Sequence, residues 1–582
     1  MAQRFRPVIE IEGRAPLSHC LRLSLSQAIF DHHHFELVVP YETLEGPKGN
    51  GFFEKAHKDL CGKNITISFV PFTEAEPAPA FKFKGLITQL RLGSANDLAN
   101  VYIIEGYSPT YLLEDSAQRR TFVKQTLSQI CFQVLTDYSR NTLDRKVDPR
   151  YQAKIPYAVQ YDESNFTFLK RLAAARGEWL YYTGTQLRIG PVADNAAVPF
   201  VVAGAQSFSL TVSLRPTKFK ATEYNYRQHQ TLSAASREQP ASQQGELTSF
   251  AAQASERLFP QAFHAGAGQR VSSSGELNEA MQLLKTSLTG SLVVFEGVGE
   301  NLNVAVGGLI QAQQPATNGR AAADLGKYRV LAIDHWLDNE GNYFNKFRAI
   351  PAGSGPPPVP WVAPVAGALE LAEVIDVDDP RHLGRIRVKY QWPTATETAA
   401  QSGWLRVSTP YSGTGKGQLF TPEVGSQVLV GYEQQQAELP VVLGNLFHPK
   451  NPDKATYTRP QNHLKGLQTA GGNKLVLDDT KQKQTILLSN SHKKGTAIKL
   501  SFEGDGSITI ESKGLVTVKS PTIVLDATAQ GSITLQGRLI KLDAYEELAL
   551  NSNKTANLKA NKVKINGTTH TDIQGGMVDI NS

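Results

Sequence analysis

Cysteine is scarce in this chain, with three in 582 residues: Cys20, Cys61 and Cys131. They are widely spaced and show no CxxC pattern, which excludes a disulfide framework and a cysteine-based metal centre and leaves free thiols in a reducing compartment. No run of about eighteen apolar residues occurs, so no membrane-spanning helix is expected. The opening MAQRFRPVIEIEG has no apolar stretch behind its basic residues, so no secretory signal peptide is expected either. The chain should assemble in the cytoplasm and, if it leaves, do so by another route. Lys and Arg number 60 against 54 Asp and Glu, a net charge of +6, but no long basic run concentrates that charge. Nucleic acid is therefore not an expected partner. An apolar fraction of 41% excludes pervasive disorder, and the length suits several domains.

What the chain has in abundance is alternation. From about Leu475 to Ile580, short apolar pairs recur with one residue between them, as in Ile486/Leu488, Ile498/Leu500, Ile508/Ile510, Val516/Val518, Ile533/Leu535 and Val578/Ile580. Each pair lies on one face of a strand. Many of the steps between pairs are near about eight residues, filled with turn formers. Units this short cannot bury their apolar faces alone and must stack into a narrow β-solenoid or an intertwined β-prism. A monomeric solenoid needs roughly twenty residues per coil, so three chains each contributing one side are expected: a homotrimer.

The front of the chain reads as strands at Val8–Ile11, Leu21–Leu25, Phe35–Val39, Ile65–Phe69, Phe81–Leu90 and Val101–Tyr107, punctuated by turns such as GPKGNG at 46–51. His32, His33 and His34 cannot all reach one metal ion from an extended strand and are expected at surfaces and interfaces. Val123, Leu127, Ile130, Val134 and Tyr138 recur at helical spacing behind Ser116, predicting a helix over 116–138. A strand at Tyr157–Gln160 leads through Asp162, Glu163 and Ser164 into a helix that stops at Gly177, and Trp179–Tyr182 resumes strand. The acidic pair is expected to serve the helix dipole rather than catalysis. Further helices are predicted at Ser249–Leu258 and Glu276–Leu288, with an exposed loop over 234–245. The proline-rich stretch 351–360 marks a boundary. Beyond it, strands at Leu369–Val377, Gly384–Tyr390, Trp404–Ser408, Val428–Tyr432 and Val441–Leu446 suggest a small OB-type barrel. Its aromatics, Trp392, Trp404, Tyr411, Phe420 and Tyr432, are not interleaved with basic residues and are expected to pack in cores and interfaces.

These features resemble the VgrG spike proteins of type VI secretion systems, which are similar to the fused hub and needle proteins of contractile phage tails. The stretch 161–182 resembles a family motif through Tyr161, Glu163, Ser164, Phe168, Leu169, Arg171, Leu172 and Gly177, and HHHFEL at 32–37 resembles the hub opening. Asp379-Pro380, Gly384-Arg385, Trp404-Leu405-Arg406-Val407, Pro422, Gly425, Pro440 and Gly444-Asn445 resemble its OB module, and AGGNKLVLDDT at 470–480 the start of its triple-stranded β-helix. The resemblance implies a mainly β fold: hub barrels with a few helices over 1–350, a linker at 351–360, an OB domain over 361–448, a connector at 449–466, and a triple-stranded β-helix needle, an intertwined trimer, over 467–582.

It further implies a trimeric spike at the tip of a contractile apparatus. The expected partners are an inner-tube (Hcp-like) protein and baseplate proteins at the hub, a PAAR-repeat tip protein, secreted effectors, and a target membrane pierced mechanically. Delivery outside the producing cell follows sheath contraction. An extracellular contractile particle or tailocin would use a similar spike. No enzyme domain is expected between barrel and shaft, where the family's phage needle has a lysozyme, and no cofactor, metal or catalytic residue is assigned.

Two other functions compete. A polysaccharide-degrading tailspike needs converging carboxylates, whereas Glu503, Asp505, Asp526, Asp543 and Glu546 are scattered over corner positions. An OB-fold nucleic-acid binder would show salt-dependent single-strand binding. At the end of the shaft, Ile573, Met577, Val578 and Ile580 from each of three chains would form an apolar platform, the candidate docking site for the PAAR-type tip.

Overall fold

The computed structural model describes residues 4–45, 53–72, 81–95, 98–202, 206–239, 245–267, 270–316, 321–358, 365–450, 458, 460–493 and 495–580. The turn GPKGNG, the end of the proline-rich stretch, residues 240–244 and residues 451–457 and 459 of the expected connector lie outside these residues. The chain divides into two compact units, Met1–Asn451 and Pro452–Ser582.

The first unit is built on a 12-stranded sheet. Strands Phe5–Ile11, Asn64–Pro71, Phe81–Ala95, Leu98–Tyr107, His34–Pro40 and Arg22–Ala28 follow one another across it. Period-two alternation puts Phe5, Ile9 and Ile11 inward, and Phe35, Leu37 and Phe83 join them in one core. The long strand Ala323–Asp338 then joins two halves: residues 332–338 pair with Arg22–Ala28, while residues 323–329 pair with Leu309–Gln314. A bulge between Val330 and Ala332, in its ladder with Tyr343–Pro351, marks the change of partner, since an extra residue bends a strand. A second core around Phe200, Phe295 and Phe347 fills the far half.

Helices Asn165–Ala175, Glu246–Leu258 and Ser274–Gly290 lie near their predicted positions. The predicted helix over 116–138 is instead a strand, Gln118–Thr126, followed by a shorter helix, Leu127–Leu135. Thr126, not Ser116, caps that helix, through a reciprocal bond with Gln129. Helical spacing held only from Leu127 onward, and Val123 matched it by coincidence while belonging to the ladder with Lys154–Glu163. The loop expected over 234–245 begins as strand and 3-10 turn, with Ala234, Ser236 and Gln239 buried.

After the proline-rich stretch, Glu370–Asp376, Arg387–Tyr390, Arg406–Val407, Gln427–Tyr432 and Pro440–Leu446 form a five-stranded sheet with a closed apolar core that includes Val374, Val388, Val428, Val430 and Val442. Part of the stretch itself is held: the Trp179 indole Nε1 donates to the Gly355 carbonyl (3.1 Å) and Pro357 is buried.

The second unit begins as an antiparallel meander of Leu464–Gln468, Asn473–Asp478, Thr485–Asn490, Ala497–Ser501 and Ser507–Glu511. Its register brings the apolar pairs opposite one another: Leu475 faces Leu488, Leu477 faces Ile486, Ile486 faces Leu500, Leu488 faces Ile498, Ile498 faces Ile510 and Leu500 faces Ile508. Beyond Glu511 the pairs anticipated as strands, from Val516/Val518 to Val578/Ile580, find no ladder partner among the described residues of the chain. An extended segment is a strand only when a neighbour takes its backbone bonds, and here the described residues of the chain supply none.

Candidate functional site

The three cysteines are free, and burial pushes the Cys20 and Cys131 thiols up to about 12, so these two are inert. Among the described residues no cluster of metal-binding side chains occurs and no helix is long and apolar enough to cross a membrane.

His33 corrects the expectation of surface histidines, since it is fully buried. Asn345 Nδ2 donates to the Tyr343 hydroxyl (2.9 Å), which lies 2.6 Å from His335 Nδ1; His335 Nε2 lies 2.9 Å from Gln27 Oε1, and Gln27 Nε2 lies 2.9 Å from His33 Nδ1. The carboxamide fixes both tautomers: Gln27 donates to one imidazole and accepts from the other. Burial holds both imidazoles down to about 3, so they are neutral core members.

The motif at 161–182 is where the hub meets the OB barrel. Ser164 caps helix Asn165–Ala175 by accepting from the Thr167 amide (3.1 Å), and Gly177 ends it at φ 66°, where an added Cβ would lie 2.5 Å from Leu283. Asp162 and Glu163 precede the helix rather than opening it. Asp162 is the extra residue of a bulge, at φ 52°, and receives Arg119 through Nε (2.6 Å) and Nη2 (2.5 Å). Arg119 reaches on to Glu370 of the barrel (2.8 Å), and the Tyr161 hydroxyl donates to the same carboxylate (2.5 Å). The Tyr161 ring also meets Trp392 and Tyr432 edge-on, at 5.8 and 6.0 Å. Arg171 binds Glu163 (2.6 Å) on the hub side and Glu438 (2.6 Å) on the barrel side, and donates to the Val159 carbonyl (2.8 Å). Burial raises the Glu163 carboxyl in spite of that pairing. Through Arg119 and Arg171 these acids tie the hub region to the barrel.

The barrel's own motif residues serve its loops. Asp379 accepts from Arg385 Nε (3.0 Å) and Nη2 (2.5 Å) and from the amides of Arg381 (3.0 Å) and Leu383 (2.8 Å), which holds its carboxyl well below the usual range. Gly384 turns this loop at φ 66°. Trp392 is buried and Trp404 and Tyr432 are half-buried, while Tyr411 and Phe420 stand more than half exposed.

In the second unit the apolar face of the meander is open. Leu477 is 37% exposed, Leu488 46% and Ile508 73%. The candidate tip residues lie at the far end of the described chain: Ile573, Met577, Val578 and Ile580 are exposed by 63, 85, 46 and 81%. Within one chain they form no cluster with a buried core.

Comparison with known proteins agrees with this layout. Residues 55–341 match the phage tail baseplate hub (GPD) family, and residues 370–447 the type VI secretion system/phage-baseplate injector OB domain. The type VI secretion system spike protein VgrG4b of Pseudomonas aeruginosa is 24% identical over 476 residues, covering 75% of this chain and 57% of that protein. VgrG5 of the same organism is 24% identical over 382 residues, covering 57% of this chain and 46% of its own length. The chain thus spans about half the length of these curated relatives. A solved Francisella PdpA-VgrG complex, in its half-lidded form, shares the fold at a TM-score of 0.58 and 9% identity, over 88% of this chain and 89% of that one. With its hub region, its injector OB domain and its repetitive apolar tail in that order, the chain is a relative of the VgrG spike proteins of type VI secretion systems and of phage tail hubs.

Proposed function

We propose that three copies of this chain assemble into the spike at the tip of a contractile injection apparatus. The observation that carries this is the register of the C-terminal apolar pairs. Leu475/Leu477, Ile486/Leu488, Ile498/Leu500 and Ile508/Ile510 line up across four strands into one continuous stripe that the described residues leave largely uncovered. Leaving such a stripe in water forfeits about 25 cal/mol for each Å² of apolar surface, and an unpaired ladder edge adds its own cost. Two further copies cover both at once.

In this reading the hub sits on the inner-tube protein and contacts the baseplate, the OB barrels form a neck, and residues 467–582 of three chains wrap into a triple-stranded needle that crosses the target membrane by force. The role is mechanical, with no reaction catalysed by the described residues. The names of its relatives as spike proteins support this. Assembly takes place in the cytoplasm and sheath contraction delivers the spike with attached effectors. Ile573, Met577, Val578 and Ile580 of the three chains together form the platform for a PAAR-type tip. Light scattering tests the central point: the full chain should have three times the 63.6 kDa of one copy. A monomer at working concentration would sink the proposal.

A further inference from the structure

A cavity of about 470 Å³ opens within the first unit between hub and barrel residues. Eight cationic side chains line it, and a single carboxylate, Glu438. Nearby acids neutralise part of that charge. Arg385 pairs with Asp379 (2.5 Å) and Arg387 with Asp376 (3.6 Å), while Arg270 and Arg406 share Glu433 at 3.3 Å each. Glu438 is already engaged by Arg171. The remaining four, Lys124, Arg176, Arg227 and Arg381, form no ion pair among the described residues.

The cations are also crowded. The guanidiniums of Arg227, Arg270 and Arg406 stand 5.8, 5.0 and 4.9 Å from the centre of one ring, Tyr226, whose hydroxyl accepts from Arg385 Nη1 (3.3 Å). Like charges held this close in a partly desolvated space repel, and a structural joint alone would gain from fewer of them. The Tyr226 phenol registers the same field: burial opposes its ionisation, yet Arg227 and Arg385 hold it below the ordinary range. The buried Nε atoms of Arg176 and Arg227 have no hydrogen-bond partner among the described residues.

We propose that this cavity binds a small phosphate-chain anion, either inorganic triphosphate or the phosphate tail of a nucleoside triphosphate. Guanidinium forks match phosphate oxygens, and several unneutralised cations around one small volume call for several negative charges on one small ligand. A volume of this size suits a small molecule rather than a folded partner. Arg227 and Arg270 come from the hub and Arg381, Arg385 and Arg406 from the barrel, so the ligand would tie the two regions together. This inference does not depend on the spike reading.

Calorimetry on the full chain at fixed ionic strength tests it with sodium triphosphate, ATP and sodium sulfate. One saturable site per chain is expected, at least about tenfold tighter for triphosphate than for sulfate. Equal affinity for ATP identifies the phosphate tail alone as the ligand, and tighter ATP binding adds a contribution from the base. The Arg227→Ala/Arg381→Ala variant should bind at least about tenfold more weakly, whereas Arg237→Ala, a side chain 86% exposed outside the cavity, should bind as the parent does. If the double variant does not fold, Arg381→Ala alone should weaken binding several-fold, because that side chain is exposed. Absence of saturable heat at millimolar triphosphate, affinity undiminished in a folded variant, or equal binding of sulfate, which would mean an adventitious ion only, overturns the proposal.

Discussion

Strands Phe5–Ile11 and Ser507–Glu511 carry the same alternation and meet opposite fates. In the first, Phe5, Ile9 and Ile11 are at most 3% exposed; in the second, Ile508 and Ile510 are 73 and 64% exposed. The N-terminal strand belongs to a sheet wide enough to curl over its own face, with aromatic residues from several strands meeting inside. The C-terminal strand belongs to a narrow five-stranded meander, and among the described residues none folds back to bury its face. Alternation therefore identifies the face to be buried but says nothing about whose atoms will bury it.

The largest test of that contrast is to charge the open face. Ile486→Asp with Leu488→Asp touches no buried core of the single chain, yet should convert a trimer to monomers by light scattering while the circular dichroism of the first unit stays as it was. Persistence of the trimer would move the contact away from the stripe. Next in size is the joint inside the first unit. Arg171→Ala leaves Glu163 and Glu438 facing each other without their cation and should destabilise this unit by about 3–5 kcal/mol in urea. A loss below 1 kcal/mol would mean that water relieves the pair.

Acid should destabilise the first unit more gently. His33 and His335 are both held down to about 3 from 6.5, so the folded state disfavours their protonation while the unfolded state accepts it freely. Their stabilising contribution is complete above about pH 6.5 and is lost progressively as pH falls towards 3. The melting temperature of the first unit should fall across that window, and His335→Gln should flatten the dependence even if it lowers the starting value. An unchanged slope in that variant assigns acid sensitivity to other groups. The smallest effect on stability is expected at the tip. Truncation before Ile573 should leave trimer and melting temperature nearly unchanged but abolish capture of a PAAR-type protein; equal capture would place the docking site elsewhere.

Much of the joint was legible in local sequence. Ser164 before an apolar periodic run and Gly177 after it bracket a helix whatever surrounds them, because capping involves residues three or four apart. The strands of the hub and barrel followed from alternation for the same reason. What those strands meet was not legible. Glu163 reads as a helix-dipole acid until it is seen to share Arg171 with Glu438, which lies far away in the chain. His33 reads as a surface residue until His335, linked to it through Gln27, closes a polar chain inside the core. The helix misread over 116–138 has the same origin: residues 118–126 are a strand because Lys154–Glu163 is there to pair with them. The sequence by itself determined the period of each segment, the turn and cap residues between segments, and the presence of a long apolar stripe at the C-terminal end, since these depend on interactions a few residues long. Only the tertiary structure decided which strands share a sheet, which charges end up buried together, and which apolar faces remain uncovered, because those depend on surfaces brought together from hundreds of residues apart.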